Sequence, residues 1–262
     1  MIHEKAIIHE QAIVEDGAVI GANTVVGPWT FISKNVVIGE DCEISSHVVI
    51  KGPTKIGNGN RVFQFATLGE DCQDLKYAGE PTELEIGDNN VFRECCTVHR
   101  GTIQDNSLTK IGSNNLFMAY THVAHDCVFG NNCIMANNAS VAGHVHVGDH
   151  AILGGMSGVH QYCRIGAHSF VAANALVLKD VPPYVMASGD SAKPFGLNSE
   201  GLKRRGFSKE AISAIKRAYR SLYRQGLTLE EATQKILAED GSIKEISFFA
   251  EFVITSNRGI IR

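Results

Sequence analysis

Aliphatic and aromatic residues recur along this chain at a fixed interval of six. Ile8, Val14, Ile20, Val26, Ile32, Ile38, Ile44, Ile50, Ile56, Val62 and Leu68 keep the interval unbroken, and Ile86, Phe92 and Val98 return to its phase. After a second interruption it resumes one residue out of phase at Ile111. It then runs through Phe117, Val123, Phe129, Met135, Val141, Val147, Leu153, Val159, Ile165, Val171 and Val177. A helix repeats near 3.6 residues and a strand at two, so neither carries this pattern. A three-sided coil does, with one short strand and one corner per six residues and the aliphatic pointing inward on each flat side. The following residue is often small, as at Gly21, Gly39, Gly57, Gly112 and Gly130, which predicts that it relieves the turn. Three sixes make one coil, and successive coils are expected to stack as parallel strands about 4.8 Å apart.

Two interruptions, residues 69–85 and 99–110, are polar and rich in turn formers, and read as loops thrown out from the coil. VPPYV after Asp180 ends the repeat. From about Asn198 the apolar spacing becomes helical. SKEAISAIKRAYRSLYRQG repeats every three to four residues, TLEEATQKILAEDG opens with T-x-x-E and closes at Gly, and SIKEISFFAEFVITS reads as a third helix. The predicted organisation is a coil over 1–190 and a small helical domain over 191–262.

Composition narrows the function without choosing it. The 262 residues are 44% hydrophobic and 20% charged, as in ordinary soluble proteins, with a formal charge of -4. That charge argues against general nucleic-acid binding. The first residues show no basic start followed by an apolar run, and no stretch of about 18 apolar residues occurs, so neither a signal peptide nor a membrane span is expected. The seven cysteines, Cys42, Cys72, Cys95, Cys96, Cys127, Cys133 and Cys163, are odd in number and form no C-x-x-C. Free thiols in a reducing, cytoplasmic compartment follow, most of them small buried hydrophobes; a catalytic cysteine is the other reading.

The chemistry concentrates at THVAHDC, residues 121–127, which places His122, His125 and Asp126 together. On an 18-residue coil His125 lies beneath Gly143 and Gln161. Asp126 lies beneath His144 and Tyr162, and Ala124 beneath Ala142 and His160. His125, His144 and His160 therefore converge near one corner, with His122 one strand-length away. Three chemistries fit: a zinc site, polar residues stacked harmlessly outside a solenoid, or a general base. Gly143 above His125 favours the base, because a glycine N–H beside it could donate to a developing oxyanion in acyl transfer to a hydroxyl. Asp126 could hold the imidazole tautomer.

The repeat resembles that of the hexapeptide-repeat proteins, whose fold is a left-handed parallel β-helix. THVAHDC, NNASVAGHV, GGMSGVHQY, CQDLKYAGEPT, VHRGT and EGLKRRGF, in order, further resemble the acyl-carrier-protein:UDP-N-acetylglucosamine O-acyltransferases that open lipid A synthesis. The resemblance spans essentially the whole chain. It implies a mainly β protein, a left-handed parallel β-helix followed by a small C-terminal α-helical domain. It also implies transfer of an (R)-3-hydroxyacyl group from acyl carrier protein to the 3-hydroxyl of UDP-N-acetylglucosamine, with no cofactor and no metal. His125 matches the general base and Gly143 the oxyanion donor. His122, His144, His160 and Gln161 match substrate contacts. Gln73, Asp74 and Lys76 match positions that hold the sugar and the acyl hydroxyl, and His99 one on the nucleotide side. Asn198, Glu200, Arg204 and Arg205 match nucleotide contacts; without the resemblance, the basic run at 203–205 reads as a solvated helix start.

The family meters its acyl chain near residue 173, which is glycine in members taking longer chains. Ala173 lies nearly three coils beyond His125, about 13 Å along the axis, and its methyl predicts a preference near twelve carbons. Tyr120 is larger than expected at its position. A flat-sided prism with its histidines outside needs a second wall to form a cleft, so a homotrimer is expected.

Overall fold

The computed structural model describes all of residues 1–262. Three parallel sheets form the sides of a prism. The first face begins at Ile7–Ile8, the second at Ile13–Val14 and the third at Val19–Ile20. They hold 11, 9 and 8 strands, and each strand pairs with its counterpart one coil away. Neighbouring coils are offset by 18 residues in the undisturbed parts, by 30 across the first loop and by 25 across the second.

The periodic residues fill the interior as their spacing requires. Ile20, Val26, Ile32, Ile38, Ile50, Val62, Leu68, Phe92, Val123, Val141 and Val171 are at most 1% exposed. Each such side chain contributes about 1.5–3 kcal/mol through burial. Phe92 and Phe117 stack along the axis with centroids 4.8 Å apart, and Phe129 of the third face meets Phe117 edge-on across the interior at 5.5 Å. Between the third and first faces Asn60, Asn90 and Asn115 form a buried amide ladder, each side chain binding the backbone of the next coil. A polar column can be buried there because every member is satisfied from above and below.

The glycines do not relieve the turn as expected. Gly21, Gly39, Gly57 and Gly112 have no left-handed backbone; a Cβ on them would lie within 3 Å of the next coil's backbone. They permit close stacking instead. The left-handed positions fall on Asn23, Asp41, Asn114, Asp126, Asn132, His144, His150 and Tyr162, with φ between 55° and 64°. Every coil therefore holds side-chain-bearing residues in a conformation that costs roughly 1–2 kcal/mol each. Most of these corners present polar and aromatic groups to solvent as a result, whereas Asp126 and His144 are buried.

Strand pairing trims the expected loops and extends the coil. Glu83–Ile86 and Leu108–Ile111 pair in the third face, so the excursions span residues 71–82 and 100–107. VPPYV does not end the sheet. Val185–Ser188 still pairs in parallel with Phe170–Val171, and Lys193–Leu197 folds back antiparallel on it. The first face thus continues past residue 190, capped by a hairpin that the lost periodicity concealed.

Four helices follow: α1 (Ser199–Arg204), α2 (Lys209–Tyr223), α3 (Leu229–Asp240) and α4 (Lys244–Ile254). Asn198, Ser208 and Thr228 cap the first three, and Thr228 with Glu231 completes the capping box signalled by T-x-x-E. α4 docks on the coil through Phe249 against Tyr184 and through Phe252 under the Arg164 guanidinium, 4.2 Å from the ring centroid. No helix is long and apolar enough to cross a membrane.

Candidate active site

Both loops leave the prism at one corner, between the second and third faces. The histidine column stands at that same corner. His122 sits at the end of strand His122–Val123, and Asp126, His144 and Tyr162 occupy successive left-handed positions above it. The His144 N–H donates to the His125 carbonyl and the Tyr162 N–H to that of Gly143, each at about one coil's spacing. The register arithmetic thus holds in three dimensions.

His125 Nδ1 is 2.8 Å from Asp126 Oδ2. A carboxylate only accepts, so Nδ1 carries a proton, and in the neutral ring Nε2 then holds the lone pair. Asp126 is itself fixed: Thr102 donates its N–H to Oδ1 at 2.9 Å and its hydroxyl to Oδ2 at 2.6 Å. Burial alone raises the Asp126 carboxyl pKa, but the bonds from His125 and Thr102 outweigh it and hold the group below its usual range. The carboxylate therefore stays ionised beside the imidazole.

The imidazole packs directly against Gly143. A Cβ there would be 2.4 Å from His125 Cε1 and 2.6 Å from Nε2. The Gly143 N–H donates to no protein group. A proton acceptor and a free backbone donor thus share one small space.

The His144 imidazole beside it is buried. Tyr162 stacks on its face at 4.3 Å and His125 meets its edge at 5.0 Å. One ring nitrogen each of His125 and His144 and a carboxylate oxygen of Asp126 lie within 4.8 Å of one another, close enough to consider a metal. The Asp126 oxygens already take three donors, and the His125 nitrogen nearest them carries a proton. Those bonds suit a histidine being oriented more than a cation being held.

His122 binds Thr97 Oγ1 at 2.7 Å and meets His99 edge-on at 4.8 Å. Burial, and then the charge of His125, lowers the His122 pKa; burial, and then His122, pushes His99 down to about 4. Both stay neutral at pH 7. His160 is exposed at the far end of the column with the Arg258 guanidinium 3.4 Å from Nδ1, and Gln161 is exposed beside it.

The remaining candidates lie apart. Gln73, Asp74 and Lys76 ride on the first loop, where Asp74 closes a turn by accepting from the Lys76 N–H at 2.9 Å. Their side chains make no hydrogen bond or ion pair with the histidines. Asn198 caps α1 and donates to the His168 carbonyl at 2.9 Å, at the corner between the third and first faces. Arg205, beside it, has Nη1 buried without a partner, as has His168 Nδ1. Glu200 pairs with Lys203 in solvent at 2.7 Å, and Arg204 is exposed. Ala173 is exposed at the corner between the first and second faces, not on the line through His125. Its separation from His125 is not a whole number of coils, and the remainder rotates it onto another edge. One chain therefore spreads the candidates over all three corners.

Arg100 and Thr102 escaped the sequence reading, although both lie in VHRGT. Arg100 is 6% exposed and ties the first loop down through the Gly69 carbonyl, Asp71 and Tyr77. Their signal was two hydrogen-bonding residues within four positions of the periodic Val98, inside a segment read as loop.

A stacked prism with an oriented histidine at its corner defines a transferase of the hexapeptide class. Residues 108–143 match the bacterial transferase hexapeptide model, and residues 180–261 match domain 2 of the UDP-N-acetylglucosamine O-acyltransferase model. The chain is 58% identical, over 84% of its length and 83% of the relative's, to the acyl-[acyl-carrier-protein]–UDP-N-acetylglucosamine O-acyltransferase of Aeromonas salmonicida. Among solved structures, LpxA from Acinetobacter baumannii superposes with a TM-score of 0.95 at 50% identity, covering 98% of this chain and all of that one (100%). The UDP-N-acetylglucosamine acyltransferase of Bacteroides fragilis gives 0.96 at 41%, with the same coverage of both chains, 98% and 100%. The chain belongs to the acyl-[acyl-carrier-protein]–UDP-N-acetylglucosamine O-acyltransferase family, and its fold is the left-handed parallel β-helix with a helical tail.

Proposed function

We propose that the protein transfers an (R)-3-hydroxyacyl group from acyl carrier protein to the 3-hydroxyl of UDP-N-acetylglucosamine, the first step of lipid A synthesis, with His125 as general base. The observation that carries the base is the single contact surface shared by His125 and Gly143. His125 Nε2 takes the sugar hydroxyl proton, and the oxygen attacks the thioester carbonyl. The Gly143 N–H stabilises the resulting oxyanion, and the carrier thiolate leaves with the proton returned by His125. Asp126, held by Thr102, keeps the Nδ1–H tautomer throughout. His122, His144, His160, Gln161 and His99 line the approach. Gln73, Asp74 and Lys76 reach the sugar and the acyl hydroxyl from the first loop. No step calls for a metal or cofactor, and the chemistry suits a cytoplasmic location.

Homotrimeric assembly completes this site. Asn198, Glu200, Arg204 and Arg205 stand on a different corner from His125, so a nucleotide spanning both sets needs a neighbouring copy. Buried Arg205 Nη1 and His168 Nδ1, each lacking a partner, suit a ligand that arrives with acceptors. Sedimentation equilibrium is expected to give three copies; a stable monomer with full activity contradicts it.

Ala173 then meters the chain across the interface, where its methyl shortens the pocket by one or two carbons. The test is an assay with UDP-N-acetylglucosamine and carriers loaded with about twelve- and fourteen-carbon hydroxyacyl chains. The wild type is expected to prefer the shorter donor, and Ala173→Gly to move toward the longer one by about 1–3 kcal/mol per methylene. No shift in the glycine variant removes Ala173 as the ruler. No acylation of the sugar nucleotide at all removes the function.

A further inference from the structure

The second loop brings a carboxylate to His144 that the reaction described above does not use. Asp105 Oδ2 is 3.1 Å from His144 Nδ1, while the Asn106 side-chain amide holds the other oxygen at 2.8 Å. The Ser107 N–H closes the loop on the Thr102 carbonyl at 3.1 Å. The same seven to eight residues thus clamp Asp126 at one end, through Thr102, and His144 at the other.

His144 is 8% exposed, stacked on Tyr162 and edge-on to His125, so its ring plane is set by packing. Packing does not choose which nitrogen bears the proton. Asp126 Oδ2 lies 3.9 Å from His144 Nδ1 and is already occupied by Thr102 and His125. Only Asp105 offers Nδ1 a free acceptor within hydrogen-bonding distance. His144 Nε2, across the ring, has no protein partner and is not enclosed.

We propose that Asp105 is a positioning residue for the acyl transfer: it holds His144 with Nδ1 protonated and Nε2 turned, unpaired, toward the substrate. Each of two neighbouring imidazoles then has its own carboxylate, His125 with Asp126 on the coil and His144 with Asp105 on the loop. Both rings are fixed in the same tautomer. This rests on the acyl transfer proposed above, with His144 as a substrate contact.

The experiment compares wild type, Asp105→Ala and Asp105→Asn. Two-bond proton–nitrogen NMR of ring-labelled histidines reads the His144 tautomer, and steady-state kinetics with UDP-N-acetylglucosamine reads its use. Asp105→Ala is expected to mix the two tautomers of His144 and to lower kcat/KM about ten- to a hundredfold, the worth of a hydrogen bond to a charged group. Asp105→Asn keeps an acceptor oxygen and restores the Nδ1–H form and most of the rate. Thermal unfolding stays unchanged in both, since Asp105 is exposed. An Asp105→Ala protein with the wild-type His144 tautomer, or with the wild-type rate, overturns the proposal. Absence of turnover in the wild type would instead overturn the acyl transfer, and the NMR comparison would still read the Asp105–His144 coupling.

Discussion

His125→Ala is expected to lower kcat on the order of a hundredfold or more while leaving the protein folded, because general-base catalysis contributes roughly 10² to 10⁴. Truncation to alanine removes Nε2 but touches no backbone bond, since the His125 carbonyl still accepts from the His144 N–H. The measurement is single-turnover acyl transfer beside a melting curve. A metal-centred mechanism predicts something else: stoichiometric zinc, loss of activity with chelators, and chemistry other than acyl transfer. A purely structural column predicts that the wild type itself has no turnover.

Gly143→Ala tests the other half of the same contact. The added methyl would sit 2.4 Å from Cε1 and 2.6 Å from Nε2 of His125, far inside van der Waals contact. Gly143 is not a left-handed position, so backbone strain is not the cause. The imidazole must swing away instead, and displacement of about 1 Å costs roughly 10² in rate. The N–H remains, so the loss measures how far the base has moved rather than loss of the donor. Binding of UDP-N-acetylglucosamine, read by calorimetry, is expected to weaken far less than kcat. A variant with wild-type kcat would mean that His125 is not held where it acts.

The repeat made the fold legible, because a period of six admits almost no other backbone and its multiple of three sets the stacking. Gly143 over His125 and His144 over Asp126 follow from the same count. Legibility stopped where the count stopped. Thr102 reaches Asp126, and Asp105 reaches His144, across a loop whose length bears no relation to the period. Ala173 was placed by its height along the axis alone, and the prism has three edges as well as a height. The glycines were assigned to the turn, although their small size serves the contact between coils. The hairpin of Lys193–Leu197 has neither a six-residue phase nor a helical one, and only its pairing with Val185–Ser188 shows where it belongs.

Placing both loops at one corner has a consequence for how such a chain can change length. The coil behaves like a counter that resets every eighteen residues, and each position's edge depends on the count since the last reset. Inserting or deleting a single hexapeptide in mid-strand would turn everything downstream by one side, carrying His144 away from His125. Removing a full turn would shorten the prism and keep every edge. Extra residues at a corner are not counted at all: the first loop stretches one turn to 30 residues and the second stretches another to 25, yet Asn60, Asn90 and Asn115 remain in line. Length variation in this architecture is therefore confined to corners, and here both insertions fall on the corner that carries the histidines.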